Sequence, residues 1–363
     1  MIKVGIVGCG KIADDHVAQI ERIKNAKIVG VCDKEELMAD QLCQRFEIKN
    51  RYSDLSKLIS QAKPDVIHIT TPPQAHFELA KTCLDHGINV YVEKPFTITY
   101  LEAEKLIAIA KKKNLKITAG HDDQFTHAAR RMRELIKRGY IGGKPIHMES
   151  YYCYDLGDPQ YAKALLGDKK HWVRSLPGTL MQNNISHGIS RIAEYMKSED
   201  PEVIAIGTIS PFLKKLGENS IVDEVRVIIS NNYDTTGYFT FSTQIRPTLK
   251  QFRVFGKKNG ILIDHDQQTM VKLRGKKYKS YLEKFIPGCE YAYNYASSSL
   301  RNLYQFMRND FHMKSGMKFL IEKFYDSIIN ETEPPIPYRE IILTAKIMDR
   351  IFTQLNNKKN SNN

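Results

Sequence analysis

The sequence predicts a two-domain α/β protein. An N-terminal domain rests on a parallel sheet with helices on both faces, and an α/β domain with an open, largely antiparallel sheet follows. Three observations predict it. The chain has 363 residues, long for one hydrophobic core. Over residues 1–120, short apolar runs alternate with helical patterns, the spacing of parallel strands joined by crossover helices. Beyond that point apolar and polar residues alternate, the mark of strands with one exposed face.

Strands are expected at 2–7, 28–32, 66–70, 88–92 and 115–119, and helices at 11–23, 35–46, 54–61, 74–86 and 100–113. Gly87 stops one of these helices. A helix at 126–137 ends at Gly139, and 145–152 alternates as a half-exposed strand. A helix near 183–196 follows, then alternating runs at 203–209, 222–229, 238–242, 251–255 and 260–263. Residues 316–330 read as helix, EPPIP at 333–337 breaks the chain, and 338–355 forms a last amphipathic helix. The expected domains are therefore 1–122 and 123–355, with a disordered tail at 356–363 whose polar sequence cannot pack.

Composition excludes several classes. The 42% apolar fraction is that of a globular protein. No apolar run reaches the roughly 18 residues of a membrane span, and MIKVGIVGCG enters a strand at once, without the charged head and apolar core of a signal peptide. None of the six cysteines forms a C-x-x-C pair, which suits free thiols in a reducing cytoplasm. The net charge is +13, and residues 250–284 hold ten Lys/Arg against three Asp/Glu. Those charges lie among strand patterns, with no recognition helix or zinc spacing, so nucleic acid is not expected. A solvated lysine-rich surface accounts for them, or a field that attracts an anionic substrate.

The first strand runs into GCGKIA at 8–13, a G-x-G-x-x-G/A turn that opens a helix. Gly8 permits the tight turn, Gly10 lets a pyrophosphate approach the backbone, and Ala13 keeps the helix close to the sheet. Lys11 and Ile12 complete the turn, and the helix N-terminus offers unpaired N–H groups to an anion. This is the pattern of a Rossmann dinucleotide-binding domain. Asp33 ends the second strand, where a carboxylate accepts from ribose hydroxyls and repels a 2′-phosphate, favouring NAD; Lys34 beside it keeps NADP open. TTPPQAH at 70–76 follows a later strand, so Thr71 and Pro72 line the same crevice, where His76 either touches the cofactor or packs on its helix. NVYVEKPFT at 89–97 ends a strand of the same sheet, which carries Glu93 and Lys94 to the crevice.

With GCGKIA, Asp33, TTPPQAH, EKP at 93–95 and LMQNNISH at 180–187 in this order, the sequence resembles the glucose–fructose oxidoreductase/inositol dehydrogenase (Gfo/Idh/MocA) family over nearly its whole length. The resemblance implies NAD(P)-dependent hydride transfer at a carbinol carbon of a sugar, cyclitol or related molecule. It also implies a second domain whose open sheet makes subunit contacts, hence a homodimer or homotetramer. By the same resemblance Lys94 is the active-site lysine, Glu93 contacts the cofactor, Pro95 fixes the turn and His187 exchanges the hydroxyl proton. Independently of the family, hydride removal from a carbinol is eased by a base within hydrogen-bond reach and by a cation at the developing alkoxide. Histidine titrates near neutrality and suits the first role.

Departures from the family pattern bear on substrate. Asn183 stands where an aspartate is common, and branches acting on nucleotide-linked sugars often carry asparagine there. LPGTL at 176–180 replaces a run of glycines, and GHDDQF at 120–125 places Asp122 and Gln124 where Asn and Arg are usual. Trp172 lies just before the histidine segment. The tyrosine-rich stretch 149–162 offers Tyr152 and Tyr154 to a sugar pocket, or else to a subunit interface. A nucleotide-linked or otherwise modified sugar is the expected substrate. Two other readings share the cofactor turn: a glycosidase that oxidises its substrate transiently, and a dinucleotide-binding regulator without catalysis. The pairing of Lys94 with His187 argues against the regulator.

Overall fold

The computed structural model describes all residues except 158, 160–161, 163–167, 169–170, 232–233, 276 and 361–363. The chain forms two compact units. The first comprises Met1–Asp122 with Gly316–Lys346, the second Asp123–Ser315 with Ile347–Asn363.

In the first unit, six parallel strands form one sheet: β1 (Ile2–Val7), β2 (Ala26–Cys32), β3 (Arg51–Tyr52), β4 (Val66–Ile69), β5 (Asn89–Val92) and β6 (Ile117–Ala119). Their order is β3-β2-β1-β4-β5-β6. The direction of winding reverses between β1 and β4, where sheets of this kind leave a crevice at their carboxyl edge. Central positions such as Val4, Ile6, Ile67, Ile69, Val90 and Val92 are fully buried, as expected of strands covered on both faces. Val7 is level with Cys32 and Ile69, and Val92 is level with Ile69 and Ala119. This common finish line brings the residues that follow each strand to one edge.

The second unit is built on seven strands: β7 (His147–Cys153), β8 (Glu202–Thr208), β9 (Glu224–Ser230), β10 (Thr236–Ser242), β11 (Leu249–Phe255), β12 (Asn259–Asp264) and β13 (Thr269–Arg274), in the order β13-β12-β11-β7-β10-β9-β8. Only the β7–β10 pair is parallel. One face of the sheet is packed. There Ser150 donates to the Gly188 carbonyl of helix Ser186–Tyr195, and a Cβ on Gly188 would meet the Phe239 ring at 2.2 Å. The lack of a side chain at 188 thus lets the helix that carries His187 lie on β10. Across the other face a row of exposed apolar residues runs over three strands: Ile204 pairs with Ile228, and Ile228 with Tyr238.

Four expectations change. Residues 316–346 group with the first unit, not with 123–355, because the helix Ser315–Ile329 sends Tyr325 to His68 of β4, and Tyr338 reaches the N–H of Ile117. The helix expected at 183–196 is two helices, Thr179–Asn184 and Ser186–Tyr195, joined at Ile185. The helix Leu282–Met307 and strand β13 were not expected; Pro287 and Gly288 read as breakers, yet the helix runs through both. Finally, the last helix, Tyr338–Asn360, continues into the expected tail, whose last three residues lie outside the described ones. No helix among the described residues is long and apolar enough to cross a membrane.

Candidate functional site

The glycine turn is tied to its neighbours by backbone. Gly8 has a φ of 97°, and a Cβ there would lie 2.7 Å from the amide nitrogen of Thr71, so both conformation and space require glycine. Gly8 donates to the Cys32 carbonyl, and the Thr70 hydroxyl donates to the Gly8 carbonyl at 2.6 Å. Gly10 faces open space, with no atom near the position a Cβ would take. It caps helix Lys11–Ile20 without a side-chain bond, leaving the first N–H groups for a ligand. Asp33 accepts from the Cys9 N–H at 2.7 Å and the Glu35 N–H at 3.0 Å, which fixes its carboxylate at the end of β2. Open space at Gly10, an uncapped helix start and an anchored carboxylate are a donor set that fits a dinucleotide.

His76 is fully buried, and its two ring nitrogens sit 2.9 Å from the carbonyl oxygens of Pro95 and Thr71. It therefore clamps the TTPP turn to the EKP turn; enclosed in this way, it packs and does not face a ligand. Burial pushes its pKa down, partly offset by those carbonyls.

Glu93 is buried as well, and its carboxylate heads a chain that sequence reading did not anticipate. Oε2 accepts the Lys94 N–H, and Oε1 lies 2.9 Å from His16 Nε2. His16 Nδ1 is 2.8 Å from His68 Nδ1, and His68 Nε2 is 2.8 Å from the Tyr325 hydroxyl. Tyr91 stacks on His68 at 4.6 Å. Burial alone would raise the Glu93 pKa, but the bond and charge of His16, then the Lys94 charge and N–H, hold it at about 2. Burial, then the neighbouring His16, push His68 well below its usual value, so it is neutral, and burial keeps Tyr325 protonated. These contacts make one hydrogen-bonded file that runs from Tyr325 through His68 and His16 to Glu93. Gly120 makes room for this carboxylate, since a Cβ there would lie 2.8 Å from Glu93 Oε1. Lys94 follows, half-buried, with a cis peptide to Pro95.

In the second unit, His187 lies near the start of helix Ser186–Tyr195 and is 8% exposed. Its Nδ1 is 3.6 Å from Asp123 Oδ2, which also accepts from Arg191. Tyr152 stacks against the imidazole at 5.4 Å, with Arg191 and Lys250 over its ring. Burial would raise the Asp123 pKa, but His187 and Arg191 beside it hold it far below the usual carboxylate range. His265 is buried, and neither ring nitrogen has a hydrogen-bond partner among the described residues. Burial and the Arg191 charge keep it neutral.

The expected substrate residues fare differently. Tyr152 and His187 are brought together, and Asn183 stands half-buried in the last turn before the Ile185 junction. Gln124 instead turns inward: its amide donates to Glu194, which also binds Arg133. Tyr154 accepts from Asn184, and with Trp172 it packs against the cluster of Leu156, Val173, Leu180, Leu213 and Ile221. Asp122 closes the first unit, and its neighbour Asp123 is the carboxylate that meets His187. Sequence reading missed Asp123, Arg191, Lys250 and His265. The pair DD at 122–123 was the one available signal, and it does not say which carboxylate turns toward the histidine.

Residues 2–121 match the family model described as "Oxidoreductase family, NAD-binding Rossmann fold" (GFO_IDH_MocA). A myo-inositol 2-dehydrogenase of Thermotoga maritima is 23% identical over 319 residues, 87% of this chain and 89% of that protein. The WlbA dehydrogenase from Bordetella pertussis, solved with NADH and UDP-GlcNAcA, superposes with a TM-score of 0.76 at 15% identity, covering 98% of this chain and 96% of that one. UDP-N-acetylglucosamine 3-dehydrogenase GnnA from Acidithiobacillus ferrooxidans gives 0.73 at 17% identity, with 97% of each chain covered. Residues 2–121 thus match the NAD-binding Rossmann domain of the GFO_IDH_MocA oxidoreductase family, and the whole chain shares the fold of these dehydrogenases.

Proposed function

We propose that the protein is an NAD-dependent dehydrogenase that moves a hydride between the nicotinamide and a carbinol carbon of a nucleotide-linked or otherwise modified sugar. The observation that carries this reading is the His187–Asp123–Arg191 group, an imidazole facing a carboxylate held ionised by its surroundings. A histidine so placed takes the hydroxyl proton, and Asp123 stabilises the imidazolium that results. NAD, when bound, supplies the hydride acceptor. Gly8, Gly10, Lys11, Ile12 and Ala13 hold its pyrophosphate, Asp33 its ribose, and Thr71 and Pro72 the wall of the crevice. Asp33 carries a negative charge where a 2′-phosphate would stand, which favours NAD over NADP. Lys94 stabilises the developing alkoxide, and the Glu93 chain holds the Lys94 turn in place. Asn183, Tyr152 and His265 present polar groups to the sugar. Support for a nucleotide-linked sugar comes from Asn183 and from the fold shared with two dehydrogenases named for, or solved with, UDP-sugars.

The free cysteines suit a cytoplasmic setting. The exposed row Ile204–Ile228–Tyr238 suits a homodimer or homotetramer formed through the second sheet. Purified protein should reduce NAD with at least one member of a panel of UDP-sugars and free sugars, read as NADH absorbance. Binding of NAD and of a UDP-sugar without any NADH would sink the proposal. Sedimentation of Ile228→Glu should show a smaller species than the parent.

A further inference from the structure

Wholly within the second unit lies a cavity of about 630 Å³, between helix His127–Lys137, strand β13 and helix Leu282–Met307. It shares no residue with the groups assigned to hydride transfer. Its charged lining is unbalanced: five Arg or Lys side chains stand against two acids. Of the acids, Glu134 is engaged by Arg138 at 2.8 Å. Asp310 stands 3.9 Å from His127, whose Nε2 meets the Asp310 carbonyl. Among the described residues no carboxylate comes within ion-pair distance of Arg131, Lys272 or Arg301. Arg131 has one terminal nitrogen on the Gln268 carbonyl at 3.0 Å, and its Nε is buried without a partner. Burial and the facing Arg301 push its pKa down to about 10, so the two guanidiniums repel each other where water is scarce.

A concave site with convergent, unneutralised guanidiniums has the chemistry of an anion receptor. The planar fork of arginine matches two phosphate oxygens at once, and a dianion removes the repulsion between Arg131 and Arg301. The helix that carries Arg301 also lines the cavity with Tyr293, an aromatic face suited to an uncharged organic part. We propose that this cavity binds a phosphate-bearing small molecule, with its phosphate oxygens held by Arg131, Arg301 and Lys272. Either a free pyrophosphate or the diphosphate of a nucleotide supplies that chemistry.

Calorimetric titration of the full-length protein, kept in excess NAD so that the glycine turn is filled, tests it with two probes, inorganic pyrophosphate and UDP. At least one should show a binding component that Arg301→Glu removes and that weakens as salt rises. A tighter Arg301-dependent component for UDP would identify a nucleotide, and an equal one the phosphate groups alone. Arg131→Met and Arg301→Gln should each weaken binding roughly tenfold or more, the loss of one charge-assisted bond pair. Arg301 is exposed, so its substitution leaves the fold intact even if Arg131→Met does not accumulate. Arg301→Glu should abolish binding and raise the unfolding temperature, because it gives Arg131 a counter-charge. Failure of both probes to bind at millimolar concentration, or binding by Arg301→Gln and Arg301→Glu at parental affinity, would overturn the proposal.

Discussion

Each unit sets one carboxylate beside a proposed reactive group, buried in the first and part-buried in the second, and each keeps it ionised by different means. In the first unit Glu93 precedes Lys94 and is held by a file of hydrogen bonds through His16, His68 and Tyr325. In the second, Asp123 faces His187 and is held by the electrostatics of His187 and the buried Arg191. A file of directed hydrogen bonds fixes orientation, so it positions a turn. A cationic surround supplies an electrostatic well, so it can answer a proton arriving on the histidine. The contrast predicts that breaking the file loosens geometry, whereas breaking the cluster uncovers buried charge.

The largest effects should fall on the reactive groups themselves. Lys94→Ala and His187→Ala should each lower kcat roughly 10²–10⁴-fold while NAD binding, followed by fluorescence, changes little. Parental turnover in either would remove that residue from the mechanism. Next comes Asp123→Asn, which leaves Arg191 and His187 without their counter-charge. It should destabilise the fold by about 3 kcal/mol in urea unfolding and depress turnover as well. A loss no larger than that of Tyr325→Phe would erase the contrast between the two carboxylates.

Acid titration probes the first carboxylate directly. Glu93 has a folded pKa of about 2 against an ordinary 4.5. The unfolded chain therefore binds the extra proton first, and the stabilisation present above pH 4.5 is lost as pH falls toward 2. That loss is at most about 3 kcal/mol, and Glu93→Gln should flatten the stability profile across this window. An unchanged slope would mean that the file does not hold the charge. Smaller still, Tyr325→Phe should cost about 1 kcal/mol by leaving His68 Nε2 unmet. It should raise KM for NAD more than it lowers kcat if the file positions the turn. The least effect has the opposite sign. Thr179 adopts a φ of 47°, a left-handed conformation costly for a β-branched residue. Thr179→Gly should therefore raise stability by up to about 1 kcal/mol in thermal melts.

What was legible in the sequence was local. Alternating apolar runs specified the parallel sheet, because crossover helices and doubly buried strands leave a pattern within a few dozen residues. GCGKIA, Asp33, TTPP and EKP could be placed at one edge because each directly follows a strand, and parallel strands in register finish together. Tertiary structure alone decided which groups meet there. His76 is drawn inward by two carbonyls, His16 and His68 meet directly with a tyrosine from far along the chain on His68, and Asp123 comes to face His187. The physical reason is range. A turn or a strand end is set by the few residues around it, whereas the partner of a buried imidazole or carboxylate is set by how distant segments pack and by which arrangement leaves no buried charge unmet.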